Sequence, residues 1–220
     1  THTTPAMPSN TDVFLTLNTP MHTARIQRIS VDRGGRKLLT ASFDKTAKLW
    51  DLRSGTLWRT LRPPIGIGNE GMLYAAALSP DGRVAAVGGW SKDIYLFDAS
   101  SGELFRRISG LPNVILDLQF SPDGRYLAAA LGSNGIKIWR CSDWGLHAED
   151  KNYGGHAYKL AFDAWGQRLA TVCNDGHLRL YDATGKLLQK VKTTGGSCPI
   201  SLAFSLDARL LAIGYEDSPK

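Results

Sequence analysis

The chain has 220 residues, with 26 Lys+Arg against 20 Asp+Glu and a net charge of +6. That length suffices for a buried core, and 43% hydrophobic with 21% charged residues excludes a disordered chain. No apolar run approaches the roughly 18 residues that span a bilayer, and Cys141, Cys173 and Cys198 form no Cys-x-x-Cys, so a zinc ribbon and a disulfide framework are excluded.

Residues 1–11 are rich in Thr, Pro and Ser and read as a linker or disordered tail. No initiator Met and no signal pattern opens the chain, which implies trimming or processing. Asp12–Leu17 reads as a strand. A repeat then sets in. A bulky apolar residue before a turn recurs at Val31, Leu78, Phe120, Phe162 and Phe204, with spacings of 47, 42, 42 and 42. An aromatic followed by a charged residue recurs at Trp50-Asp51, Phe97-Asp98, Trp139-Arg140 and Tyr181-Asp182, always 19 residues after the first marker. Two markers sharing one phase define repeats at 22–68, 69–110, 111–152 and 153–194, with a partial repeat at 195–220. The next aromatic falls due at position 223, so 220 residues reads as a cut through a larger ring.

Each repeat reads as four short strands, here termed a to d. In the second they are Leu73–Leu78, Val84–Gly89, Ile94–Asp98 and Glu103–Ile108, separated by Ser-Pro-Asp-Gly, Trp90-Ser91-Lys92 and Ala99-Ser100-Ser101-Gly102. These strands are β-rich in composition and too short for helices. An all-β chain of four-stranded antiparallel blades, a β-propeller, is the expected fold.

The segment Leu38–Asp51 (LLTASFDKTAKLWD) resembles the strand b–turn–strand c signature of WD-repeat propellers, and the resemblance covers roughly residues 12–220. It implies an incomplete, open fragment of a larger, seven-bladed ring. It also implies a hydrogen-bonded tetrad of His22, Thr40, Asp44 and Trp50, with Met21 replacing the family's Gly before the His. The fourth repeat keeps Thr171 and Asp175, but Tyr181 replaces the Trp and Tyr153 the His. The second has Val87 and Ser91 at the hydroxyl and Asp positions, and the third has Asn134-Gly135 in its turn. Strand packing is therefore expected to hold these blades without the full network. Phrases such as Arg62–Gly66 and Gly110–Ile115 look like bacterial WD-repeat proteins, some of which carry caspase-like or other effector domains.

Other patterns are discounted. Gly66, Gly68 and Gly71 match a dinucleotide fingerprint, but strand a of a blade follows where a helix is needed. Ser42 and Lys45 match Ser-x-x-Lys, but on a strand and a turn. His2, His22, His147, His156 and His177 lack metal-ligand spacing, and His177 is expected in a turn. Neither metal nor cofactor is expected. Residues 1–70 hold ten Lys/Arg against five acids, which reads as a solvated face rather than a nucleic-acid site.

In the family the partner meets the face bearing blade-to-blade connections and b–c turns. The matching positions are Arg25, Gln27, Phe43, Met72, Tyr74, Trp90, His156, Tyr158 and Asn174, rich in the residue types of interface hot spots. The leading expectation is a non-catalytic protein-interaction scaffold, or the sensing or regulatory module of a larger protein, binding a protein or peptide. Intrachain contact with an effector domain outside the segment is part of that expectation, as is a cytoplasmic setting, with a bacterial extracytoplasmic one as the alternative. A second reading places an enzymatic or small-ligand site at the central channel, where Asp117 and Lys159 are the ionisable exceptions among apolar inner strands such as Val114–Phe120 and Ala157–Phe162. A third is nucleic-acid binding through the basic first repeat.

Overall fold

The structure is a computed structural model that describes residues 20–216. The expected tail at 1–11 and strand at 12–17 lie outside the described residues. Every described element is a strand or a turn. Blade one comprises β1 (Ile26–Val31), β2 (Lys37–Ser42), β3 (Ala47–Asp51) and β4 (Leu57–Leu61). Blade two comprises β5 (Leu73–Leu78), β6 (Val84–Gly89), β7 (Ile94–Asp98) and β8 (Leu104–Ile108). Blade three follows with β9 (Asp117–Phe120), β10 (Tyr126–Ala130), β11 (Ile136–Arg140) and β12 (Leu146–Asp150). Blade four has β13 (Ala157–Phe162), β14 (Arg168–Cys173), β15 (His177–Asp182) and β16 (Leu187–Lys192), and β17 (Pro199–Phe204) pairs β18 (Leu211–Tyr215) in a fifth, two-stranded sheet. Each sheet is an antiparallel meander in chain order. The described residues thus form an incomplete propeller.

The first strands β1, β5, β9, β13 and β17 contact one another in sequence and line the inner side of the arc. In blades two and three strands b and c are covered on both faces, because each of these blades is sandwiched between neighbours. Leu39, Leu49 and Leu61 of blade one pack with Leu73, Val87 and Phe97 of blade two. Ala75, Ala86 and Leu96 of blade two pack with Leu118, Leu127 and Trp139 of blade three. Leu160, Leu169 and Tyr181 of blade four close on Ala128 and Ile138 of blade three. Near-continuous apolar runs such as Ala85-Ala86-Val87 and Leu127–Ala130 follow from this double burial. The outward side of blade one leaves Ile26, Ile29 and Val31 exposed, and the fifth sheet leaves Leu206 and Leu210 exposed.

Serine and aspartate build the a–b turns. Ser79 donates to Asp81 at 2.6 Å and accepts from the Val84 N–H at 2.9 Å, while Gly82 takes φ 70°. Strand d of blade two starts at Leu104 rather than Glu103, and two further placements differ from expectation. Strand a of blade three starts at Asp117 rather than Val114, because the Asn113 side chain caps the Val114 N–H at 2.9 Å and holds the segment as a loop. His177 opens β15 instead of lying in the turn; its N–H is capped by the Asp175 carboxylate at 3.1 Å.

Candidate partner-binding face

One relation recurs at the top of three blades. The Phe43 N–H donates to the Arg25 carbonyl at 3.0 Å, Trp90 to Met72 at 3.0 Å, and Asn174 to His156 at 3.1 Å. Each b–c turn is thereby tied to the residue leading into strand a, so six of the nine expected contact residues meet in pairs. The other three, Gln27, Tyr74 and Tyr158, sit where the strand a–strand b register slips, between Ile26 and Arg28, Leu73 and Ala75, and Ala157 and Lys159. A bulge bends the strand and re-aims the extra side chain, which is how these three reach the rim.

The pairs form two clusters. Phe43 packs edge-on against Tyr74 with centroids 5.3 Å apart, and Tyr74 packs edge-on against Trp90 at 6.4 Å. Trp90 is 43% exposed, while Phe43, Tyr74 and Met72 are half-buried and Arg25 is exposed. The row therefore crosses from blade one to blade two with an open end. In blade four His156 lies 6.0 Å from Tyr158, and Asn174 accepts the His156 N–H at 2.6 Å. Beside Trp90 an open groove of about 460 Å³ is walled by Ile65 and Glu70 of the blade-to-blade loop and by Lys92 and Arg107. That loop, Arg62–Gly71, carries the five extra residues of the longer spacing, and Lys45 Nζ clamps it by donating to the Gly66 carbonyl at 2.8 Å.

Beneath the face lie the polar networks. The structure brings His22, Thr40, Asp44 and Trp50 together. With the proton on Nδ1, His22 donates to Asp44 at 2.7 Å and accepts the Thr40 hydroxyl at 2.7 Å, and Thr40 in turn accepts the Trp50 indole N–H at 2.9 Å. Asp44 also receives the Thr23 and Thr46 N–H groups and the Thr46 hydroxyl. Burial pushes its carboxyl up, but these hydrogen bonds outweigh burial and hold it well below the usual carboxylate range.

Blade four, expected to keep only part of the tetrad at Thr171, Asp175 and Tyr181, holds those residues in a network of its own. Tyr153 places its hydroxyl 2.7 Å from Thr171 and 2.9 Å from the Tyr181 hydroxyl, which donates to Asp150 at 2.7 Å. The wholly buried Arg179 stacks 3.9 Å over the Tyr153 ring, donates to Asp175 at 2.6 Å and donates to the Asn152 carbonyl at 2.8 Å. A tyrosine pair and an arginine thus replace the His–Trp solution. Blade two is also held by a polar group that sequence reasoning missed. Arg107 donates to Asp93 at 2.6 Å, the Tyr95 hydroxyl donates to Asp93 at 3.3 Å, and Ser91 accepts the Gly71 N–H at 3.1 Å.

The available signal for these groups was the cross-strand register. Lys48, Tyr95 and Lys137 are second in strand c and Arg179 is third, and each faces a polar residue of strand d: Thr60, Arg107, Glu149 or Lys190.

The channel exceptions also come together. Asp117, wholly buried, accepts the Leu160 N–H at 2.9 Å, pairs with Lys159 at 2.9 Å and lies 3.3 Å from Arg28 Nε. Arg28 also donates to the Leu116 carbonyl at 3.0 Å, so one cluster joins blades one, three and four. No grouping of His, Cys, Asp and Glu among the described residues suits a metal ion, and no helix is long and apolar enough to cross a membrane.

The family described as WD domain, G-beta repeat matches residues 15–51, 62–98, 102–140 and 149–182. The chain is 30% identical to the WD repeat-containing protein VIP3 of Arabidopsis thaliana over 80% of its own length and 58% of the relative's. It is 31% identical to the small ribosomal subunit protein RACK1 of Caenorhabditis elegans over 77% of its length and 54% of the relative's. It is 29% identical to the autophagy-related protein 16 of Arabidopsis thaliana over 70% of its length and 30% of the relative's. The chain therefore spans little more than half of the first two. These relatives are eukaryotic, and they give no support to the bacterial resemblance suggested by Arg62–Gly66 and Gly110–Ile115.

Proposed function

This chain belongs to the WD-repeat family, and from that premise we propose that it is a non-catalytic scaffold, or a regulatory module of a larger protein, that binds a protein partner through the face carrying its b–c turns. We place its blades within a larger, seven-bladed ring. Membership in the family supports a role in protein–protein interaction in general. The observation that carries it is the Phe43–Tyr74–Trp90 row. Three aromatic rings reach one rim, one on a bulge and one exposed over two-fifths of its surface. Aromatic groups at an exposed turn are the usual anchors of an interface, since each offers a large contact area at little conformational cost.

The ionisable groups favour binding over catalysis. Asp44, Asp175 and Asp93 are occupied by partners within their own blades. Burial pushes the Cys141 thiol up to about 12 and the Cys173 thiol up to about 11, against activation as nucleophiles.

Photo-crosslinking tests the choice of face. A benzophenone side chain replacing Tyr74 should capture the partner in cells, and one replacing Leu188 on the outer strand β16 should not. Capture at 188 with none at 74 would overturn the reading.

A further inference from the structure

We propose that the partner segment seated on the Phe43–Tyr74–Trp90 row is acidic, a peptide carrying Asp or Glu beside an apolar side chain. This rests on the reading of that row as the partner site and adds the chemistry of what it accepts.

Two observations carry it. The first is backbone conformation. Lys45 and Lys92, in the two turns that flank the row, adopt φ 68° and 58°, in the left-handed region. At the matching turn of blade four the residue is Gly176, at φ 77°. Glycine takes this conformation freely, whereas a side chain crowds the following carbonyl. Trp144 and Ala208 take the same conformation without charge, so what sets these two turns apart is that each carries a lysine beside the aromatic row.

The second is the charge balance. The two turns, the loop between them and Arg25 hold three carboxylates. Asp44 is taken by His22, Thr23 and Thr46, and Asp93 by Arg107. Glu70 is the exposed one, set against exposed Arg25 and Lys92, and against Lys45, whose ammonium rests on a neutral carbonyl. The complement of aromatic edges inside a cationic frame is a carboxylate next to an apolar group. A polyanionic nucleic acid fits less well. The rings meet at 78° and 82° and so present edges rather than the flat platform on which bases stack.

Selection of a random dodecapeptide display library on the purified chain tests the inference. The enriched pool should be net negative and contain an aromatic residue or leucine. Individual binders should weaken by about tenfold when Lys92→Gly and Arg25→Gln are combined, while Lys92→Gly alone leaves the melting temperature equal or higher. A neutral or basic pool, or acidic binders indifferent to both substitutions, would overturn the acidic assignment. If Phe43→Ala with Trp90→Ala abolishes enrichment and yet the pool lacks acidic bias, the face stands and the chemistry falls. Enrichment that ignores Phe43 and Trp90 sinks the face itself, and no enrichment counts against both. Saturable binding of an oligouridylate that needs Phe43 and Trp90 would assign the row to nucleic acid instead.

Discussion

The Tyr153 hydroxyl stands 2.7 Å from the Thr171 hydroxyl, the same separation at which His22 Nε2 meets Thr40. Two blades with different side chains thus reach one hydrogen-bonded geometry beneath the b–c turn. In blade one the chain of donors runs from Trp50 through Thr40 and His22 to Asp44. In blade four Tyr181 donates instead to Asp150, and Asp175 is held by Arg179. What the two share is a carboxylate locked by donors at the turn, which fixes the platform from which Phe43 and Asn174 project.

Acid should expose this dependence. For Asp175, burial pushes the carboxyl up, but Arg179 and the Gly154 N–H outweigh it and hold it below the ordinary range, as with Asp44. A folded-state pKa below the unfolded value means stability that is present above the unfolded pKa of about 4 and lost as pH falls below it. Asp44→Asn and Asp175→Asn should each destabilise by about 1–3 kcal/mol at pH 7. Each should also flatten the loss of stability between about pH 4 and 2, read from urea unfolding midpoints across that range. A variant whose acid profile parallels wild type would contradict the assignment.

Arg179 should matter more than its exposed counterparts. Arg179→Met leaves Asp175 partly buried without its cation and the Tyr153 ring without its cover, a loss of about 3–5 kcal/mol. Tyr181→Phe removes one hydroxyl from a satisfied pair and should cost about 1–2 kcal/mol. Hydrogen exchange should localise both losses to residues 153–192, since each repeat unit contacts chiefly its neighbours. Uniform deprotection of blade one would argue against that locality.

Much of this fold was legible in the sequence. The segment Leu38–Asp51 and the 42-residue phase give every blade, because a turn chemistry repeated at fixed spacing survives even where side chains vary. The polar networks of blades two and four were not legible. Leu178-Arg179-Leu180 alternates as a half-solvated strand would, yet the arginine is buried and needs an acid. Tyr95 with Arg107 is hidden in the same way, since its sense comes from cross-strand register. The nine contact positions came from family resemblance, while the bulges that re-aim Gln27, Tyr74 and Tyr158 leave no compositional trace. Nor does a turn lysine show that its φ is positive.

The cysteines give a chemical check on the reading of a binding module. Burial raises the Cys141 thiol, helped by the nearby charges of Asp123 and Asp81. Burial raises the Cys173 thiol as well, against the Asp175 N–H bonded to its sulfur. Both should remain more than about 90% unlabelled by iodoacetamide at pH 8 under conditions that label an unfolded cysteine fully, because only the thiolate reacts. Rapid labelling of Cys173 in the folded chain, followed by peptide mass spectrometry, would reopen a nucleophilic role for it.

The most direct test of the account is partner affinity in the Phe43→Ala, Trp90→Ala double variant, measured by calorimetry with the protein captured by the Tyr74 crosslink. The dissociation constant should rise by about 30-fold or more, as expected when two anchors worth about 1 kcal/mol or more each are lost. The melting temperature should move by no more than about 2–4 °C, because neither ring is a core residue. Unchanged affinity in a folded double variant would contradict the assignment of this face as the binding surface.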